Sequence, residues 1–138
     1  MKTDQLKKEE IKRQRHNLDA KDQILGRLAT QIAGLLVGKG KSEYAFHLDV
    51  GDFVKVVNVE KVTVTGKKEV QKLYRRHSGY PGGFKVVNLA MMRQKHPERI
   101  LKFAVAGMLP DNRLKKARLA RLELVIGEGK EKENGQKD

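Results

Sequence analysis

The sequence predicts an α/β layered domain with a small, mostly parallel sheet. Two observations lead to that class. Apolar residues recur at helical spacing over residues 24–36 and again after Pro97. Runs of strand length, rich in β-branched residues, stand between and after them at 53–59, 61–66 and 122–126. Helices alternating with strands lie on the faces of a sheet, and such crossovers favour parallel pairing.

The first helix follows from Ile24, Leu25, Leu28, Ala29, Ile32, Ala33, Leu35 and Leu36, which fall within about half the circumference at ~100° per residue. Arg27, Thr30, Gln31 and Gly34 take the other side, and Gly38-Lys39-Gly40 ends the helix. Phe53-Val54-Lys55-Val56-Val57-Asn58-Val59 predicts a strand buried on most of its surface. Lys61-Val62-Thr63-Val64-Thr65-Gly66 alternates strictly and predicts a strand with one polar face. Pro97 opens a second long helix, with Ile100, Leu101, Phe103, Ala104, Val105 and Met108 on most sides and Glu98, Arg99 and Lys102 on the remaining arc. Residues 112–121 predict a further helix capped by Asp111, and Leu122-Glu123-Leu124-Val125-Ile126 a closing strand. The domain is expected over residues 14–127. Residues 1–13 then form a charged extension, mobile or ordered by a polyanion, and 128–138 a flexible polar tail.

The formal net charge is +13, and residues 61–121 hold the whole excess: sixteen basic side chains against three acidic ones. Charge of this density repels itself unless a polyanion neutralises it, which points to nucleic acid or an anionic membrane. The membrane is disfavoured, since no stretch approaches the ~18–20 apolar residues of a span. The first ten residues have no apolar core, so no signal peptide is expected there. The absence of cysteine removes disulfides and thiolate metal sites and fits a reducing cytoplasm.

The densest cationic stretch is Tyr74-Arg75-Arg76-His77-Ser78-Gly79-Tyr80-Pro81-Gly82-Gly83, led by Lys67, Lys68 and Lys72 and followed by Lys85. Gly79, Pro81, Gly82 and Gly83 cannot continue a helix or a central strand, so the stretch is expected to be a loop with outward side chains. Guanidinium groups grip phosphate, and tyrosine and histidine stack on bases. Lys39 and Lys41 form a basic helix-to-loop corner, and Arg93 and Lys95 extend the basic region. On the 112–121 helix Arg113, Lys115, Lys116, Arg118 and Arg121 point to several sides, as a helix lodged between RNA segments requires. The alternative is a solvated helix held by Leu114, Ala117 and Leu119.

Enzyme-like patterns do not assemble. Gly40-Lys41-Ser42 resembles the end of a phosphate-binding loop, but Leu35 stands where its first glycine belongs and a helix precedes it. His47, Asp49 and Asp52 match no common zinc spacing. His77 has cations and no acid beside it, and nothing near Ser78 activates a nucleophile. No catalysis, cofactor, metal or small-molecule substrate is expected.

Several fragments stand in order along the chain: Leu25-Gly26-Arg27-Leu28-Ala29-Thr30, Gly51-Asp52-Phe53-Val54, Val57-Asn58, Thr65-Gly66-Lys67-Lys68, and the stretch from Tyr74 to Gly83. His96-Pro97-Glu98-Arg99 and Gly107-Met108-Leu109-Pro110 with Asn112-Arg113-Leu114 complete them. Over roughly residues 16–127 the chain resembles the bacterial form of the thirteenth large-subunit ribosomal protein family. The resemblance implies a three-layer α/β/α domain with a four-stranded parallel sheet. It implies a structural constituent of the large ribosomal subunit, cytoplasmic in the ribosome, bound to its ribosomal RNA and neighbouring proteins and supporting early assembly. Lys67, Lys68, Arg75, Arg76, His77, Ser78, Tyr80 and Arg113 match the family's RNA-facing motifs, and the Gly107-to-Pro110 segment its packing turn. The alternative is a regulatory protein that binds messenger RNA, its own included, through the same surface. The chain departs from the family in places: Arg15-His16-Asn17-Leu18-Asp19-Ala20 replaces a first strand opened by tryptophan, Ala106 and Asp111 stand where basic residues are common, and Glu128 to Asp138 replaces the histidine- and proline-containing tail.

Overall fold

A computed structural model describes residues 7–128. A single 3-10 turn at Lys8–Glu10 precedes β1, Arg15–Asp19. The chain then crosses through α1, Leu25–Val37, into β2, Phe53–Val57. Next come a 3-10 turn at Val59–Lys61, a one-turn helix α2 at Lys68–Gln71, and an antiparallel pair, β3 (Leu73–His77) and β4 (Phe84–Asn88). Helices α3 (Leu89–Lys95), α4 (Pro97–Met108) and α5 (Lys115–Ala120) lead to β5, Leu122–Leu124.

The main sheet is parallel, ordered β1-β2-β5, and the hairpin β3-β4 forms a separate pair. The α/β class and the mostly parallel sheet therefore follow the sequence. The strand predicted over 61–66 is reduced to one parallel bridge, Ile24 with Thr63, framed by Thr63 N–H to Gln23 O (2.8 Å) and Leu25 N–H to Thr63 O (2.9 Å). Val62 is buried and Val64 packs on the core, so the alternation is real but too short to pair further.

Helix α1 buries Leu25, Leu28, Ala29, Ile32, Ala33, Leu36 and Val37, and packs on β2 and α4. The core joins this stripe to Val54 and Val56 of β2 and to Ile100, Leu101 and Val105 of α4. Burial of each such side chain contributes about 1.5–3 kcal/mol. Pro97 serves twice: it ends α3 at His96 and opens α4 as the first-turn residue whose N–H is not needed. Asn88 caps α3, its side chain accepting from Met91 N–H at 2.8 Å.

β1 forms despite its polar sequence. It pairs with β2 along its whole length, from Arg15 with Phe53 to Asp19 with Val57. Leu18 packs on the core, Ala20 is fully buried, and Arg15 lies 5.7 Å above the Phe53 ring. His16 Nε2 lies 2.8 Å from Asp52, and Asn58 donates to Asp19 at 2.9 Å. Polar clamps at both ends thus replace the apolar anchor.

Gly51 shows how tightly the chain closes. A methyl group there would lie 1.7 Å from the Leu36 carbonyl oxygen at the end of α1. Most of the expected extension at 1–13 is described only from Lys7 onward, and the expected tail at 128–138 lies outside the described residues except for Glu128.

Candidate nucleic-acid interface

The sequence expectation of a loop over 74–83 is corrected in part. Tyr74, Arg75, Arg76 and His77 lie on β3, because Tyr74 pairs with Val87, Arg76 with Lys85 and His77 with Phe84. Only Ser78 to Gly83 make the turn. Its tip has Pro81 at the second position, Gly82 at φ 72° in the third, and Gly83 N–H donating to Tyr80 O at 2.9 Å, the arrangement of a type II turn. Ser78 N–H donates to Gly83 O at 3.1 Å and closes the hairpin. A side chain at Gly83 would meet Ser78 Oγ at 1.9 Å, so the Ser78 hydroxyl packs into the turn rather than projecting from it. Gly79 N–H donates to His77 Nδ1 at 2.9 Å, which in the neutral ring leaves Nε2–H as the free donor. Tyr80 stands at the tip, 76% exposed.

Around this hairpin the cations are unpaired. Lys67, Lys68, Arg75, Arg76, Lys85 and Lys95 are exposed and form no ion pair among the described residues. Lys72 is half-buried, its ammonium 5.6 Å from the centre of the Tyr74 ring. Tyr74 itself packs against Phe103 with ring centres 5.7 Å apart. Its hydroxyl is buried without a partner among the described residues; burial raises its pKa, with the nearby Arg93 charge pulling the other way. A second basic surface carries Lys102, Lys115 and Lys116 between α4 and α5, with Arg113 exposed just before α5. Lys39 is exposed beyond the left-handed Gly38 that ends α1.

Other predicted cations are engaged inside the protein. Arg93 donates to both oxygens of Glu69 and to the carbonyls of Glu60 and Val62, tying α3 to the segment after β2. Lys41 pairs with Asp52 at 2.6 Å and donates to Val50 O and Lys12 O. Burial works to raise the Asp52 carboxyl, but Lys41, His16 and the Gln14 N–H outweigh it and hold the group below its ordinary value.

Arg118 and Arg121 require the largest correction. Arg118 is 1% exposed, its Nε 3.7 Å from Asp49. Arg121 donates to Gly51 O and Leu36 O, each at 2.8 Å, and pairs with Asp49. Burial lowers its pKa, with Asp49 opposing. Arg13 joins them by donating to Asp49 O and Gly51 O. Charges scattered around 112–121 therefore divide between protein and surface: Arg118 and Arg121 hold the loop before β2, while Arg113, Lys115 and Lys116 face outward. Asp111 does not cap α5; it pairs with Lys115 at 2.7 Å, which lowers its pKa, and Asn112 accepts the Leu114 N–H instead.

Arg99 and Phe103, missed among the candidates, stand beside the hairpin on α4. Their four-residue spacing places them on one helix face, a signal hidden because Phe103 counted as core; it is 49% exposed. Asp49 and Asp52, considered as metal ligands, are taken up by the arginine and lysine pairs, and no group of three suited to a metal ion occurs among the described residues. No helix among them is long and apolar enough to cross a membrane.

Fold and charge together define a basic α/β protein that presents exposed aromatic rings and cations without ion pairs among the described residues from one hairpin. The family described as ribosomal protein L13 matches residues 13–131. The large ribosomal subunit protein uL13 of Roseiflexus sp. (strain RS-1) is 52% identical over 127 residues, 92% of this chain and 87% of the relative. Its counterpart in Microchaete diplosiphon is 55% identical over 117 residues, covering 85% and 78%, and that of Dictyoglomus thermophilum 51% over 127 residues, covering 92% and 89%. The chain belongs to the ribosomal protein L13 family.

Proposed function

We propose that this chain is a structural, non-enzymatic constituent of the large ribosomal subunit. It binds large-subunit ribosomal RNA, lies beside neighbouring subunit proteins and supports early assembly. Membership of the family supports the role, and one observation supports the site: six cations without ion pairs among the described residues surround a hairpin tipped by exposed Tyr80. Arg75, Arg76, Lys67, Lys68, Lys72 and Lys85 hold phosphate; His77 Nε2–H and Tyr80 meet bases or sugars. Arg113, Lys115, Lys116, Lys39 and Lys95 add secondary phosphate contacts, and Ser78 with Gly79, Pro81, Gly82 and Gly83 fixes the hairpin tip. The working domain is residues 14–127 with polar tails on either side. In the assembled subunit the Thr63 segment completes a fourth strand of a three-layer arrangement.

Arg75→Ala/Arg76→Ala should fail to enter large subunits while its melting temperature stays within ~2 °C of the parent, since neither side chain has a protein partner. Each arginine held bidentate to phosphate contributes ~1–3 kcal/mol. Normal incorporation of the double variant refutes the site. A regulatory complex with the chain's own messenger RNA uses the same surface; retention on large subunits after a high-salt wash separates the two roles.

A further inference from the structure

Between the hairpin and helices α3 and α4 lies a groove of about 440 Å³. Its floor is apolar and aromatic: Tyr74 and Val87 from the hairpin, Met91 and Met92 from α3, Phe103 from α4. Its rim is cationic, with Arg75, Arg76, Lys85, Lys95 and Arg99, and no carboxylate lines it. None of those five cations is engaged in an ion pair among the described residues, and the histidine on the rim, His96, faces Glu98 at 3.7 Å. Register explains how one face acquires both characters. Tyr74 opposes Val87 and Arg76 opposes Lys85, so on one side of the hairpin the apolar pair lies nearest the helices and the charged pair lies one step toward the tip.

An apolar floor alone fits any greasy partner. A floor bounded on several sides by unpaired cations selects a ligand that is flat and apolar at its centre and anionic at its edges. A duplex presents phosphates but keeps its bases stacked inside. An unpaired nucleotide offers both at once, and its base spans the width of an exposed phenyl ring. We propose that this groove receives a single unpaired nucleotide of RNA, its base lying on Phe103 and Met91 and its flanking phosphates held by Arg76, Lys85 and Arg99. Phe103 and Met91, 49% and 45% exposed, are the floor residues with ring or thioether surface open to contact. Methionine and phenylalanine adapt to any of the four bases, so the groove reads an unstacked base without choosing its identity. This rests on the RNA-binding role proposed above and assigns to that surface a second mode, distinct from phosphate contact at the hairpin tip.

The test uses the full chain with two RNA probes, a ten-nucleotide oligouridine and a twelve-base-pair RNA duplex, at one salt concentration. Phe103→Leu should weaken the single strand about tenfold, the scale of one stacked base, while duplex affinity stays within twofold. Arg76→Ala/Lys85→Ala should weaken both. Phe103→Leu keeps apolar volume at a half-exposed site, and a melting curve confirms its fold. As a second readout, the methyl resonances of Met91 and Met92 should shift with adenosine monophosphate and not with ribose 5-phosphate. Equal loss on both probes, no loss on either, or equal shifts from the two small molecules overturns the proposal. So does Phe103→Leu that binds both RNAs normally yet enters subunits poorly, which assigns the groove to a protein neighbour. Arg75→Ala/Arg76→Ala removes rim cations as well, so its normal incorporation counts against both readings, whereas Phe103→Leu leaves every cation in place and tests the groove alone.

Discussion

Arg121 and Arg76 are both arginines in the basic half of the chain, and the structure gives them opposite surroundings, one buried and one exposed. Consider Arg121→Ala. The side chain donates to Leu36 O, one of the terminal carbonyls that α1 cannot satisfy itself, and to Gly51 O, in the loop entering β2. It also neutralises Asp49, whose next partner is Arg118 at 3.7 Å. Truncation leaves the Leu36 carbonyl unpaired, Gly51 O with Arg13 alone, and the Asp49 carboxylate weakly compensated. Breaking such a pair from one side costs ~3–5 kcal/mol. Against a total stability of ~5–15 kcal/mol this is a large fraction. At roughly 4 °C per kcal/mol for a domain of this size, the melting temperature should fall by ~12–20 °C. Circular dichroism on the free protein measures it. Arg121→Lys, which keeps charge but reaches fewer acceptors, should fall between. RNA affinity measured well below the transition should stay within about twofold of the parent. A melting shift under ~3 °C, or normal melting with lost RNA affinity, would refute the internal role and return Arg121 to the RNA surface.

Gly83→Ala should disturb the hairpin tip through its 1.9 Å approach to Ser78 Oγ, lowering RNA affinity several-fold with little change in melting; Ser78→Gly/Gly83→Ala, which removes the clash, should recover much of the affinity in the same titration. Because the Asp52 carboxyl is depressed in the folded protein, its contribution is present above the ordinary 3.8 and is lost as pH falls through the lower folded value. Asp52→Asn should therefore be less stable than the parent at neutral pH in urea melts, and the gap should close on acidification; a constant gap from pH 7 to pH 3 excludes the linkage. Tyr74→Phe removes a buried hydroxyl that has no partner among the described residues, so stability should stay the same or rise by up to ~1 kcal/mol, and a clear loss reveals an acceptor at the hydroxyl. With ~8 phosphates contacted, the logarithm of RNA affinity should fall against the logarithm of salt with a slope near −7, and a slope near −2 would mean that most surface cations stay solvated.

The long elements were legible because their periodicity is set by burial against one neighbour. The α1 stripe from Leu25 to Leu36 and the Pro97 start of α4 stand where the pattern puts them, and β2 follows its run from Phe53 to Val57 before left-handed Asn58 ends it two residues short of Val59. The hairpin strands were hidden. On β3, Leu73, Arg75 and His77 alternate with Tyr74 and Arg76, and both faces remain largely exposed, so no apolar alternation marks it. Arg118 and Arg121 were misplaced for a related reason. A cation satisfied by a distant Asp49 and by backbone carbonyls has the same local sequence as one waiting for phosphate, and only the fold tells them apart. The surface cations from Lys67 to Lys85 were readable as a group because Glu69 is the single acid among them in sequence, and the fold gives that one to Arg93.

The parallel order β1-β2-β5 also fixes when the protein is finished. Its third strand is the last regular element of the described chain, and Arg121, which bolts that end to Gly51, acts across 70 positions of sequence. During synthesis β1, α1 and β2 emerge early, yet β2 lacks its second neighbour until residues 122–124 leave the ribosome that makes them. The hairpin needs only neighbours within fifteen residues of Leu73 to pair, since Leu73 meets Asn88. Local pairing of this kind is fast, whereas closing the sheet carries the entropy of a long loop. The cationic hairpin is thus ready before the domain behind it is locked, and its exposed arginines and lysines are in place while the sheet is still incomplete.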